Sequence, residues 1–464
     1  MNLSERYSLW LQGSRLKESP PPQLARRPSP LEMQARWFAG EFGTTFALAN
    51  EEWSMVEIRH FGEWNREHGP TFVNALLSFN GEPPVEGDIE VHPDPLEWDR
   101  HAAHSPDYRN TKLIVLGGAG TGGSGMQGIA PASTCDGTPV AQIQVDITAL
   151  EFGARPEPAR PSPCCAPMAT LPDTKALQLI EAAAQYRLCR KAARMQALAT
   201  RFTPGEALYQ TLAEALGYRH NKLPFKLLAQ RFSLALVRRS PCPPEPLLFA
   251  GAGFLPLEDL SAMPDDTRTY LKQLWQQWWP HRTNYERLCL NTTGETLWSF
   301  RQTRPVNHPQ RRVAALAEMV RNWPVIQSLA LDCDVTAIKN FFAQLSHPYW
   351  ETHYTLTSRP SAQPMALVGE SRVVEMLANV FFPAAIGSLP KKWTAYCSLA
   401  GWEPSQRVKT AADRLFGPER LPKAFLGRIM VQQGLLQLYE DHCVAGELEC
   451  SHCTLPDKLE KWIF

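Results

Sequence analysis

The sequence predicts an α+β protein, with a small mixed sheet and helices in an N-terminal domain and a mainly α-helical region after it. Three observations lead there. Between residues 31 and 153, short runs rich in Val, Ile, Leu and Phe are bounded by Gly, Pro or Asn, the pattern of strands. Beyond residue 173 apolar residues recur at steps of three and four, the pattern of helices with one buried face. Between the two, residues 154–173 carry six prolines and read as a linker or wrapped connection.

In chain order, residues 1–30 are polar, end in SPPPQLARRPSP and predict a loosely packed arm. A helix is expected at 31–42. Strands are expected at 55–60, 72–79, 88–92, 112–116 and 141–147. In the helical region, Leu177, Ile180, Ala184, Leu188, Ala192, Met195 and Ala199 mark one buried face. Thr203-Pro204-Gly205-Glu206 has the form of a capping box, and Gly217 suits the left-handed residue that ends the helix. Asn307-His308-Pro309 opens a helix carrying Val313, Leu316 and Val320. The predicted domains are therefore 31–153 and 174–464, joined by the 154–173 linker.

Composition excludes several classes of protein. Of 464 residues, 44% are apolar and 20% charged, which rules out a largely disordered chain. The length suffices for roughly three domains at about 150 residues each. The N-terminus lacks the apolar core of a secretory signal, and no apolar run reaches the ~20 residues that span a bilayer. Eleven cysteines, an odd count in a long chain, do not read as a secreted disulfide framework. A reduced cytoplasmic location without a membrane partner is expected.

The net charge of zero hides an asymmetry. Residues 51–110 hold thirteen Asp and Glu against four Lys and Arg, while 174–239 hold twelve Lys and Arg against three acids. An acidic block suits a divalent cation and a basic block suits phosphates, although either can be an ordinary solvated face. On the basic helix, Arg187, Arg190, Lys191 and Arg194 are the candidate phosphate contacts. Arg304, Arg311 and Arg312, around the helix opening at Pro309, are a second set.

The segment GDIEVH, residues 87–92, is the most informative. On a strand, the two-residue period puts Asp88, Glu90 and His92 on one face and sends Ile89 and Val91 to the other. Two carboxylates and an imidazole suit a hard divalent ion, Mg²⁺ or Mn²⁺, with His92 ligating or moving a proton. The alternative is a solvent-facing edge strand. Downstream, His101, His104 and Asp107 are spaced three apart and would supply outer ligands or proton transfer. No complete zinc motif such as HExxH occurs. At the other end of the chain, Cys443, Cys450 and Cys453 form C-x6-C-x2-C, which suits zinc or an iron–sulfur cluster; free thiols beside a packed helix are the alternative. The glycine run 118–123 satisfies GxGxxG, but the segment SGMQGIAPASTCDGTP after it is a poor helix, so the run reads as a loop rather than a dinucleotide site.

The blocks EWNREHGPTFVNALLSFNG, GDIEVH and EWDRHAAHSPDYRN, followed by EALGYRHNKLPFKLLAQRF, EPLLFAGAGFL and RQTRPVNHPQRR, resemble a bacterial family called domain of unknown function 2851, from about residue 31 to the end. The N-terminal blocks also resemble, more weakly, the restriction-endonuclease-like PD-(D/E)xK superfamily. There, an Asp on one strand and a Glu-x-Lys on the next hold Mg²⁺ and position the attacking water. The resemblance implies Thr71 at the first acid, Glu90 at the second and His92 at the lysine. Thr71 departs from the GPDF expected of relatives, and Ile114 stands where a His is expected. A hydroxyl cannot supply a carboxylate's charge. The sequence thus points first to a metal-dependent, nuclease-like protein acting on nucleic acid, weakened at Thr71. The competing expectation is a non-catalytic binding or scaffold protein with a structural metal site.

Overall fold

In the computed structural model the described residues are 2–15, 29–48, 55–65, 68–94, 98, 105–118, 131–147, 164–218, 220–255, 260–290, 297–300, 305–417, 423–444, 453 and 455–462. The chain divides into two units, Pro22–Arg155 with Thr200–Thr203, and Met1–Pro21 with Pro156–Ala199 and Pro204–Phe464.

Among its described residues the first unit has eight strands: β1 (Thr45–Ala47), β2 (Met55–His60), β3 (Glu63–Trp64), β4 (Phe72–Phe79), β5 (Val85–His92), β6 (Thr111–Gly118), β7 (Ala132–Ser133) and β8 (Pro139–Asp146). Their order is β1-β2-β4-β5-β6-β8-β7, with β3 on β4. Strands β1, β2, β4 and β5 run antiparallel, and β5, β6 and β8 run parallel, so the sheet is mixed as expected. The five strands expected from the sequence are all present: β2 and β4 have the expected bounds, β5 and β6 are longer by three residues each, and β8 starts two residues earlier and ends one earlier. The short β1, β3 and β7 carry too few residues to show a period.

One sheet face packs on helix α2 (Pro30–Phe38), which starts at Ser29, whose side chain accepts from Glu32 N. Met33 and Trp37 meet Ile89, Val91, Leu113, Val115, Ile143 and Val145, all buried. The same alternation leaves a second, smaller apolar group on the other face: Trp98, Ile114, Leu116, Ala132 and Val140, with Tyr108 against it. At the end of helix α3 (Asp173–Arg201), Arg201 sits among Phe38, Phe61 and Phe202, its guanidinium carbon 3.9 to 4.6 Å from the ring centres. Burial there lowers its affinity for the proton to a pKa of about 9.

Among its described residues the second unit is helical, apart from an isolated antiparallel bridge between Ala400 and Arg428. The segment expected as a loose arm contains α1 (Leu3–Arg15), whose fully buried Tyr7 donates to Asp441 and lies among the rings of Trp10, Tyr186 and Trp462. Its polar composition concealed a few aromatic anchors. In α3 the buried positions include Ile180, Ala184, Leu188, Ala192 and Met195, as the spacing predicted. Helix α4 (Pro204–Leu216) ends with Tyr218, not Gly217, in the left-handed region. Gly217 is small for a different reason: a Cβ there would lie 2.3 Å from the carbonyl oxygen of Asn221. Glu206, the acid of the predicted capping box, accepts from Leu234 N at 2.8 Å, at the start of the helix Leu234–Arg239. The helix Pro309–Arg321 begins as expected and buries Val313, Leu316 and Val320. The linker residues 164–172 are pinned down: Met168 is fully buried, and its N–H donates to Leu415 O at 2.8 Å.

Candidate functional site

Strand β5 enters the sheet between antiparallel β4 and parallel β6, so its polar side chains stand in the middle of a face. Ile89 and Val91 point to the α2 side, and the alternation carries Asp88, Glu90 and His92 to the other, as the sequence predicted. Two irregularities shape this face. In β4 the register shifts between Phe72 and Ala75, and Asn74 takes φ 57°, which turns its N–H onto Asp88 Oδ1 at 3.2 Å. In β6, Lys112 is the extra residue opposite Asp88 and Ile89, and its side chain lies where a Cβ on Gly87 would be, 2.2 Å from Cγ.

Glu90 is the best-defined group. Its Oε2 accepts from Thr71 N at 2.8 Å and from Thr71 Oγ1 at 2.9 Å, while Thr71 Oγ1 accepts from Val91 N at 3.2 Å. Burial raises the Glu90 carboxyl to a pKa of about 7, and the two Thr71 bonds pull the other way without restoring it. Asp88 is also raised, first by burial and then by Glu86; Asn74, Asn110 and Lys112 oppose the rise. Tyr108, above the face, is raised by burial and by Glu90. Near neutral pH, therefore, Glu90 exists in both protonation states. It can give or take a proton, but it is a poor fixed anion.

His92 is half-buried, and its Nδ1 accepts from Asp94 N at 3.3 Å. Asp107 is exposed in the short 3₁₀ turn Pro106–Tyr108, 17 residues beyond Glu90 in the chain. His101 and His104 lie outside the described residues. Sequence reasoning missed Lys112, Asn74 and Asn110, because the bulges that bring them to Asp88 leave no period in the sequence.

Most of the described cations expected to hold phosphate are paired within the protein. Arg187 donates to Gln433, Gln437 and Glu440 at 2.5 to 3.2 Å. Lys191 donates to Asn379 and Gln433, and Arg194 pairs with Glu214 at 2.8 Å. Arg190 alone of these four is exposed, near the ring of Tyr186. Arg311 is buried on the carbonyls of Trp350, Met365 and Ala366, and Arg312 on Leu367 O and Asn307 Oδ1. Burial lowers both to a pKa of about 10. Long aliphatic stems and five donors make arginine a good tie between loops, so a basic helix face in sequence need not be a surface. Arg304 lies outside the described residues.

Among the described residues, the set of three His, Cys, Asp or Glu donors drawn within 4.8 Å of one another is in the helical unit: Glu245, Glu318 and His347. Its chemistry argues against a metal. Arg321 bridges Glu318 and Glu245, Tyr270 donates to Glu245 at 2.6 Å, and Trp350 donates to Tyr270 at 2.8 Å. His347 Nδ1 accepts from the N–H groups of Tyr349 and Trp350, which leaves Nε2 to donate to Glu245 at 2.9 Å. A guanidinium thus occupies the place of a cation. Burial works to raise Glu245, but His347, Tyr270 and Arg321 outweigh it and hold the carboxyl below its ordinary value. A small pocket of about 260 Å³ lies beside Arg321 and Cys242, whose thiol burial raises to about 12, so it offers no thiolate nucleophile.

Of the terminal cysteines, Cys453 has its thiol raised, first by burial and then by the neighbouring Cys165 and Cys164. Cys443 lies at the end of the preceding helical segment, and Cys450 is outside the described residues. No helix among the described residues is long and apolar enough to cross a membrane.

A family model described as Protein of unknown function (DUF2851) matches residues 33–393. No curated protein matches the chain, and no solved structure does.

Proposed function

The chain belongs to the family Protein of unknown function (DUF2851), and from that premise we propose that it is a non-catalytic binding or scaffold protein, its N-terminal sheet laid out like a metal-dependent nuclease face but lacking the charge to hold an ion. One observation carries this reading: Thr71, where the superfamily resemblance requires an acid, lies against Glu90 and gives it two hydrogen bonds. A second carboxylate at that place would share a divalent ion with Glu90. A hydroxyl and an amide instead consume the lone pairs of one Glu90 oxygen, and burial leaves the group half protonated near pH 7. The pairing of Arg187, Lys191 and Arg194 with side chains of their own unit supports this reading, since it occupies cations that a nuclease could turn to phosphate.

A second reading has an observation of its own. Asp88 and Glu90 share a face, and the Lys112 charge acts on Asp88, a grouping that would suit Mg²⁺- or Mn²⁺-dependent phosphodiester cleavage. One calorimetric titration with Mn²⁺, run beside a cleavage assay on linear DNA, separates the two. The scaffold reading expects no binding below millimolar Mn²⁺ and no cleavage, with Thr71→Asp gaining Mn²⁺ affinity of tenfold or more. Mn²⁺-dependent cleavage by the wild-type protein, lost in Glu90→Gln, would overturn it.

A further inference from the structure

We propose that the opening of the helix Pro309–Arg321 is a binding site for one phosphate group, held by Arg312 and Arg372, both of which contact Tyr218. All of these residues belong to the helical unit, so nothing in the site rests on the reading of the sheet's acid face. The ligand is a single small anion taken into the protein, not the nucleic-acid backbone for which the sequence offered Arg311 and Arg312 as surface contacts.

A buried charge without an opposite charge beside it carries the inference. Arg312 is 2% exposed, and its guanidinium donates to Leu367 O, Tyr218 Oη and Asn307 Oδ1 at 3.1, 3.4 and 2.6 Å. All three acceptors are neutral, and its Nε–H has no partner. Arg311, one residue earlier, is buried on three carbonyls. Arg372 lies with its guanidinium carbon 3.1 Å from the centre of the Tyr218 ring and donates to Ala215 O at 3.1 Å. It pairs with Glu375 at 2.5 Å, and its Nε–H is also unpartnered. Among the described residues, Glu375 is the one acid paired with any of these three arginines. His308 adds no charge at neutral pH, since burial lowers its pKa to about 4. Three buried guanidinium groups against one carboxylate leave two positive charges uncompensated, whereas buried charges are ordinarily paired.

The backbone points to the same place. No side chain caps the helix Pro309–Arg321, and no acid stands in its first turn. Arg311 and Arg312 sit instead at the positive end of the helix dipole, against the usual preference, and an anion there turns the repulsion into attraction. Tyr218 takes φ 52°, uncommon for a bulky residue, and its hydroxyl donates to Asn307 Oδ1 at 2.5 Å. A phosphate group carries about two negative charges near neutral pH and three acceptor oxygens, which match the surplus charge and the unused N–H groups. Guanidinium forks suit its geometry. The way in is at Glu375, whose side chain is 52% exposed and turns to solvent as the anion takes its place on Arg372.

The test titrates inorganic phosphate and, separately, glycerol phosphate into the full chain by calorimetry at fixed ionic strength, with chloride as the reference anion. One phosphate group per chain is expected, with Kd below about 1 mM and an unfolding temperature that rises with ligand. Tighter binding of the free anion or of the ester tells inorganic phosphate from a small phosphate monoester, and either supports the site. Asn307→Asp sets a carboxylate beside Arg312 in nearly the same shape. It should raise the unfolding temperature in phosphate-free buffer and weaken phosphate binding by about tenfold or more. Glu375→Gln removes the competing acid and should tighten binding by about threefold. Both variants keep the buried arginines, and a cooperative unfolding transition checks that each is folded. Absence of binding below about 10 mM, an equal response to chloride, or an unchanged affinity in either variant would each overturn the proposal.

Discussion

Glu90 and Glu245 are the same residue in two kinds of burial, and their titrations move in opposite directions. Glu90 is served by neutral donors, the hydroxyl and amide of Thr71, which cannot repay the loss of hydration, so its carboxyl rises to about 7. Glu245 is buried more deeply, yet it receives Tyr270, His347 and the Arg321 guanidinium and stays below its ordinary value. What fixes the state of a buried acid is the charge of its partners, more than the number of its hydrogen bonds. The sheet face therefore keeps a titrating group, whereas the helical network is closed.

Deleting the hub of the closed network gives the sharpest break in this comparison. Glu245→Ala leaves the buried His347 and Tyr270 without their acceptor, while the exposed Arg321 keeps Glu318, and removing one partner of such a buried network costs about 3–5 kcal/mol. Glu90→Gln keeps the shape of its side chain and removes only a charge the site disfavours, so a change within about 1 kcal/mol is expected at pH 7. Urea unfolding of both variants measures the contrast; equal destabilisation would show that the two acids are held alike.

A pH series probes the same contrast from the proton's side. The folded-state pKa of Glu90 lies above its unfolded value of 4.5, so its contribution is fully present below pH 4.5 and is lost as pH rises through 7. The expected loss for this one group is on the order of 2–3 kcal/mol across that window. Glu206, also buried and raised to about 7, acts in the same direction. Glu90→Gln should therefore gain stability relative to wild type as pH rises from 4.5 through 7. Glu245 has the opposite sign: held below its ordinary value of 4.5, it contributes stability that is present above that pH and lost as pH falls. Glu245→Gln should thus trail wild type most above pH 4.5. A flat difference curve for Glu90→Gln would mean that the carboxyl is already ionised in the folded protein.

The sequence exposed one half of each region and hid the other. Alternation along 87–92 was enough to send Ile89 and Val91 into the core and Asp88 and Glu90 to the opposite face, because a strand's period is local. The contact between Thr71 and Glu90 depends on the register between β4 and β5, which no local period records; only the family resemblance put the two positions in one site. In the helical unit, Glu245, Arg321 and His347 come from three separate segments. Nothing in their own neighbourhoods distinguishes them from surface charges. Arg311 and Arg312 misled for the same reason: a cation read from composition belongs on the surface, and here loop carbonyls draw it inward. Gly217 was expected to be the left-handed residue, but Tyr218 takes that conformation, and the close approach of Asn221 is what keeps position 217 small.

The smallest effect sharpens the comparison at Asp88, which mixes the two kinds of partner. It accepts from the Asn74 backbone and from Asn110, and it feels Lys112, yet burial still raises it. The Asn74 N–H reaches it only because φ at Asn74 is 57°, a conformation that Asn tolerates and alanine resists by roughly 1 kcal/mol. Asn74→Ala should thus destabilise by about 1 kcal/mol, with either strain or a relaxed bulge that withdraws the N–H. Asn74→Gly keeps the geometry and should stay within about 0.5 kcal/mol of wild type. Following the Asp88 carboxyl by NMR titration distinguishes the two routes: its pKa climbs further if the alanine bulge relaxes and stays put if the backbone bears the strain. Equal stability of the alanine and glycine variants would remove the bulge from the account of this face and leave Lys112 as the partner that matters.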